Sequence, residues 1–187
     1  MKKTLVFIAI AMAAGVCAAQ EVSVGGAVAN VLLIDNKGSA VELAYNHQII
    51  PHLYATARFS SYDVAGDVVS FMGNDFAPSV IGKSFEVGPM AGWKVSDALD
   101  FRVAVMAGVD HRIVTGIGSV DILLPDGTLT GSNYYYNTRN VAFRWDLAAS
   151  VGWWFTERLC VGLYGNVKMP YLLGSEYRVG LSLSFKL

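Results

Sequence analysis

From Tyr177 to Leu187 the chain reads YRVGLSLSFKL, with Tyr, Val, Leu, Leu, Phe and Leu on odd positions and Arg, Gly, Ser, Ser and Lys on even ones. Strict period-2 alternation specifies a strand with one apolar face. Nothing after it in the sequence covers that face, so the expected cover is lipid. At about 3.3 Å per residue, a strand of this length crosses a bilayer core at the tilt of a barrel strand.

The other end is read as an export signal. Lys2 and Lys3 form a charged start, Leu5 to Val16 an apolar stretch, and Cys17-Ala18-Ala19 small residues before Gln20, which predicts a cleaved signal over 1–19 and one mature domain over 20–187. A lipoprotein reading of Cys17 fits less well, because Val16 and Ala14 stand where that motif wants a small residue and Leu. The mature chain then keeps one cysteine, Cys160, which excludes an intrachain disulfide and reads as a small packed residue.

Hydrophobic residues make up 53% of the chain and mean hydropathy is +0.42, yet beyond the signal no apolar run approaches the ~18 residues of a membrane-spanning helix. The apolar residues are spread through alternation instead, as closed transmembrane sheets require. Without Lys2 and Lys3, the 14 basic residues against 15 acidic ones leave a net charge of about −3, and nothing in the sequence suggests a nucleic-acid partner. No cofactor motif is present.

Eight segments alternate: roughly 21–34, 40–49, 53–63, 84–95, 99–115, 139–155, 159–169 and 176–187. The predicted fold is all-β, an eight-stranded antiparallel up-and-down transmembrane β-barrel with both termini on one side. Connections sort by length. Those after the second, fourth and sixth segments are short (Ile50-Pro51-His52, Ser96-Asp97-Ala98, Thr156-Glu157-Arg158), and two on the opposite side are long. Asn36-Lys37-Gly38 and the stretch at Leu173-Gly174 make two tight turns on that opposite side.

Trp93-Lys94-Val95, turn, Leu99-Asp100-Phe101 aligns without a gap on Trp153-Trp154-Phe155, turn, Leu159-Cys160-Val161. Both place Trp on the outward face just before the turn, where an aromatic girdle belongs, so odd residues face out. That parity leaves Val141 to Phe155 and Phe101 to Val109 free of charge on their odd positions. It sends Glu42, Arg58, Glu86, Lys94, Arg102, Arg144, Asp146, Lys168 and Arg178 inward as a lumenal charge belt. Glu42, Arg58, Glu86, Asp146, Lys168 and Arg178 lie at comparable mid-barrel depth, and a symmetric register around Glu157 sets Asp146 across from Lys168. Buried charges need such pairing. Three carboxylates against six bases make the expected lumen basic, so any leak would favour anions.

Between Thr115 and Arg139, Pro125-Asp126-Gly127 reads as a turn joining Val120–Leu124 to Thr128–Thr130, which predicts a hairpin continuing two strands beyond the membrane. Tyr134, Tyr135 and Tyr136 read either as an upper aromatic girdle or as an external contact patch. The loop from Ala65 to Lys83, with four Gly or Pro breakers, reads as exposed.

The last strand also resembles the C-terminal strand that bacterial outer-membrane proteins present to their assembly machinery. Arg178, Gly180, Leu183 and Phe185 fit that pattern; the tail Lys186-Leu187 departs from it. Over the whole mature chain the pattern is similar to the small OmpA/OmpX-type porin-like barrels. The resemblance implies the outer membrane of a Gram-negative envelope, contact with outer-membrane lipid and with the barrel assembly machinery, and a protruding sheet that offers edges to an extracellular ligand of unspecified kind. The leading expectation is a non-enzymatic protein with a structural or surface-interaction role. The alternatives are a narrow anion-preferring channel or small-molecule transporter, and a lipid A-modifying enzyme. Lipid A deacylases of this size place His and Ser two apart, and none of His47, His52 and His111 has Ser two positions on. His111 lies in Asp110-His111-Arg112, where an acid–His contact is conceivable. His47 and His52 have no zinc-motif spacing, and no metal or catalytic residue is assigned.

Overall fold

The computed structural model describes residues 20–31, 36–71, 74–123, 129–170 and 175–187. The signal at 1–19, the turn at Leu173-Gly174 and the turn at Pro125-Asp126-Gly127 lie outside the described residues. Ten strands follow in order: β1 (Gln20–Val31), β2 (Asn36–Ile50), β3 (Leu53–Ala65), β4 (Val69–Phe71), β5 (Asn74–Phe76), β6 (Ser79–Lys94), β7 (Leu99–Leu123), β8 (Leu129–Trp154), β9 (Leu159–Pro170) and β10 (Glu176–Lys186). Eight of them close an antiparallel barrel in the order β1-β10-β9-β8-β7-β6-β3-β2, and β4 pairs with β5 as a separate hairpin. The loop after β3 thus carries short strands of its own, and its base is closed by Gly66 N donating to Pro78 O at 2.5 Å.

Following the register once around the barrel from Val141 through His111, Lys83, Ser61, Val41, Gly26, Leu181 and Leu163 returns to β8 at Val151. The strands are therefore strongly staggered and tilted, and the interior is only wide enough for side chains. In β2, β3 and β6 to β10 even residues point inward, as expected. β1 breaks that parity. Glu21, Gly25 and Ala29 are buried while Val24 and Val28 are exposed, because Gly25 pairs with both Glu42 and Ser182.

Outward residues form an exposed apolar band. Trp93 stacks on Phe101 and Trp153 on Phe155, each with ring centroids 6.3 Å apart. From Trp93 up β6 the outward residues are Ala91, Pro89, Val87 and Phe85, and then Lys83. At ~3.3 Å per residue and ~40° tilt this span is about 25 Å tall, the height of an outer-membrane hydrocarbon band. The turns below Trp93 and Trp153 are built alike: Val95 N donates to Leu99 O at 2.8 Å and Phe155 N to Leu159 O at 2.9 Å. The third short turn, Pro51-His52, holds His52 at φ 68, with its Nδ1 3.0 Å from Gly92 O.

The sheet outlasts the barrel on one side. β6 pairs with β7 up to Thr115 and β9 with β8 from Arg144, whereas β7 and β8 pair with each other up to Leu123 and Leu129. The hairpin expected past Thr115 is therefore present in the described residues.

Candidate functional site: the filled lumen and the outer hairpin

Three segments on two strands carry an acid, one outward residue and an arginine: Asp100-Phe101-Arg102 and Asp110-His111-Arg112 on β7, and Glu176-Tyr177-Arg178 on β10. Alternation puts both charges of each pair on the lumenal face. Each arginine folds back onto its own carboxylate, Arg102 at 2.6 Å from Asp100, and Arg112 and Arg178 on Asp110 and Glu176. The guanidinium then reaches across the barrel. Arg102 meets Glu21 at 2.6 Å, Arg112 meets Glu176 at 3.3 Å and Arg178 meets Glu42 at 2.8 Å.

The last two crossings knit one network through the middle and upper lumen. Arg58 bridges Asp146 at 2.9 Å and Glu42 at 3.6 Å. Arg144 lies 2.8 Å from Asp110, 3.1 Å from Glu176 and 3.4 Å from Glu86. Lys168 donates to Glu86 at 2.8 Å and to Ser60 at 3.3 Å, and Ser60, Ser84 and Glu86 continue the chain. Every guanidinium thus has two or more carboxylates, the condition under which buried charges are tolerated. Nearer the short-turn end a separate cluster joins Arg102, Glu21 and Asp100, with Trp154 Nε1 donating to Asp100 at 2.8 Å and Lys186 Nζ 3.8 Å from the Trp154 ring centre. A cavity of about 70 Å³, lined by Glu42, Arg58, Tyr164 and Arg102 among others, separates the two.

An apolar layer of Ala29, Ala40, Tyr62, Val64, Val80 and Val114, with Tyr136 against it, lies beyond the upper charges. Tyr62 donates to Asp110 at 3.1 Å, which ties this layer to the network. Arg144, Asp146, Lys168, Glu86 and Asp110 are inaccessible to solvent. The lumen is a filled core.

Of the residues expected inward, Glu42, Arg58, Glu86, Arg144, Asp146, Lys168 and Arg178 meet in the main network, and Arg102 in the lower cluster. Lys94 does not join either. It is exposed at the short-turn rim, where β6 ends. Asp146 and Lys168 do face each other in register, but their charged atoms are 3.8 Å apart and each has a closer partner. Sequence reasoning missed Glu21, Asp100, Asp110, Arg112 and Glu176. The signal that would have found four of them is the repeated acid–x–Arg, and Glu21 was hidden by the parity of β1. With these included, the buried lumen holds seven carboxylates (Glu21, Glu42, Glu86, Asp100, Asp110, Asp146, Glu176) against six cations (Arg58, Arg102, Arg112, Arg144, Lys168, Arg178) among the described residues. The basic excess that implied an anion preference is absent.

The acid–His contact considered for His111 is also absent. His111 is exposed on the outer wall while Asp110 points into the lumen toward Arg112, Arg144 and Tyr62. Cys160 is buried and free. The three tyrosines diverge. Tyr136 packs on the apolar layer, Tyr135 meets Phe76 of β5 edge-to-face with centroids 5.0 Å apart, and Tyr134 is half exposed. In the closing strand, Arg178 belongs to the network and Gly180 is inward, whereas Leu183 and Phe185 are exposed on the outer face.

Solved structures of similar shape share this architecture. The attachment invasion locus protein Ail of Yersinia pestis, in complex with the heparin analogue sucrose octasulfate, superposes with a TM-score of 0.57 at 9% identity, covering 91% of this chain and 100% of that one. This is the fold of the small eight-stranded outer-membrane β-barrels. Neisserial surface protein A shares the outer-membrane barrel fold with a TM-score of 0.54 at 11% identity, over 90% of this chain and 96% of that one. The N-terminal barrel of Pseudomonas aeruginosa OprF gives 0.53 at 14%, over 89% and 97%. The sequence matches no protein-family model and no curated protein. Identities this low establish the fold alone.

Proposed function

We propose that this chain is an exported outer-membrane barrel without a conducting lumen, whose role is to hold the β7–β8 hairpin outside the cell as a surface for interaction. The observation that carries this reading is the hairpin itself. Between Leu129 and Phe143, β8 has only β7 as a neighbour among the described residues, so its far edge is free for pairing. Below it the lumen is occupied by the buried ion-pair network, which supports a reading without conduction. The aromatic contact between Tyr135 and Phe76 couples the hairpin to the β4–β5 strands, which stiffens a two-part outer platform. Outer-membrane lipid surrounds the band, and the closing strand, with Leu183 and Phe185 outward, is what the assembly machinery would engage.

Two measurements test this. Epitope tags at Asp126 and Glu157, probed on intact cells, should be labelled at Asp126 alone. Purified protein in a planar bilayer should give no conductance steps. Labelling at Glu157 alone would reverse the orientation, and steady conductance would replace the surface role with a channel.

A further inference from the structure

The charges on the outer wall are few, and three bases lie together. Lys83 on β6 pairs directly with His111 on β7, and Arg139 on β8 is two residues above Val141, the partner of His111. All three are exposed and point away from the lumen. On each of these strands the base is the first charged outward residue above the periplasmic girdle: Phe85 to Trp93, Phe101 to Val109 and Val141 to Trp153 hold none on the outward face. The three therefore sit at the upper rim of the hydrocarbon band, at the depth of the outer-leaflet headgroups.

Lys83 and Arg139 are like charges on one face, and His111 adds a ring nitrogen between them. None of the three has an ion pair among the described residues, whereas every lumenal arginine does. The nearest outward acid by register is Asp63, two residues above Ser61, the partner of Lys83, and it makes no ion pair with Lys83 either. The three donors are therefore open to an anion from outside the chain, and at this depth the groups available are those of lipid.

We propose that Lys83, His111 and Arg139 form a site on the outer wall for the phosphate groups of a phosphorylated outer-leaflet glycolipid. Lys83 and His111 flank one phosphate at the membrane surface, and the longer Arg139 side chain reaches down from above with a planar donor set suited to phosphate oxygens. Because the site lies on the β6–β8 wall, it fixes lipid beneath the hairpin that rises from the same strands. The site rests on the outer-membrane placement proposed above.

The test uses full-length mature protein refolded in micelles doped with diphosphoryl lipid A, or with lipid A stripped of both phosphates, and counts retained lipid by native mass spectrometry. Wild type should retain the phosphorylated form and release the stripped one. The variant Lys83→Gln/His111→Gln/Arg139→Gln should lose roughly tenfold or more of that retention, while Lys37→Gln on β2 should lose none. Heat-modifiable migration confirms that each variant is folded. Equal retention of both lipids, equal retention by the triple variant, or displacement of the lipid by equimolar inorganic phosphate would each overturn the site. Folded protein that inserts into vesicles but shows no phosphate dependence refutes the site alone, whereas failure to insert overturns both the site and the membrane placement.

Discussion

Lys168 stands directly across from Asp146 on adjacent strands, yet its ammonium donates to Glu86, 2.8 Å away on the far side of the lumen, and lies 3.8 Å from the Asp146 carboxylate. Register decides which strands are neighbours. In a filled barrel, charge partnership is decided by what the side-chain tips meet near the axis.

Double-mutant cycles in urea, on protein refolded into lipid vesicles, check that distinction. Removing Lys168 or Glu86 alone should cost about 3 to 5 kcal/mol, because each strands a buried charge. The Lys168–Glu86 coupling should be about 2 kcal/mol, and the Lys168–Asp146 coupling under about 1 kcal/mol. The reverse order would show that the adjacent pair dominates.

The depth of the lipid-facing residues on β10 gives a second prediction. Leu181 is exposed halfway along the strand and Phe185 lies near its periplasmic end. Leu181→Arg should destabilise by about 2 to 4 kcal/mol and Phe185→Arg by at most about 1 kcal/mol, since the penalty falls toward the interface. Equal penalties, read from unfolding midpoints in vesicles, would mean that the band is misplaced.

Alternation made the barrel legible. It fixes strand number, faces and short turns, and these depend on local periodicity. What could not be read locally depends on closure. Glu21 faces inward only because β1 joins β10 and β2 in a register that inverts its parity. The crossings from Arg178 to Glu42 and from Arg102 to Glu21 connect residues far apart in sequence, and a chain pattern carries no signal for them. The acid–x–Arg repeat was the exception, visible along the strand once both charges are placed on one face. The contact of Tyr135 on β8 with Phe76 on β5 joins strands that do not pair and has no periodic signature.

His52 carries the third prediction. At φ 68 it occupies the left-handed region that β-branched residues avoid, in a two-residue turn after β2. His52→Val should cost about 1 to 2 kcal/mol through backbone strain, and His52→Asn should stay within about 0.5 kcal/mol, because Asn tolerates that conformation. Equal stability of the Val variant would show that the turn relaxes to another geometry.

A fourth prediction concerns the fit of tyrosine over glycine at the top of the lumen. Tyr62 pairs across from Gly82, and a methyl group added at Gly82 would occupy the space of the Tyr62 ring. That ring cannot swing away freely: its hydroxyl donates to Asp110 at 3.1 Å, and the Arg178 guanidinium lies 4.7 Å from its centre. Gly82→Ala should therefore destabilise the barrel by about 1 to 3 kcal/mol, the usual range for overpacking, and Tyr62→Leu should restore part of the loss by replacing the ring and its hydroxyl with a smaller side chain. Gly26→Ala is the control. A Cβ at Gly26 meets nothing within 4 Å, so its unfolding midpoint should match wild type. If Gly82→Ala also matches wild type, the Tyr62 ring has a second resting place, and the tie between the apolar layer and Asp110 is not rigid.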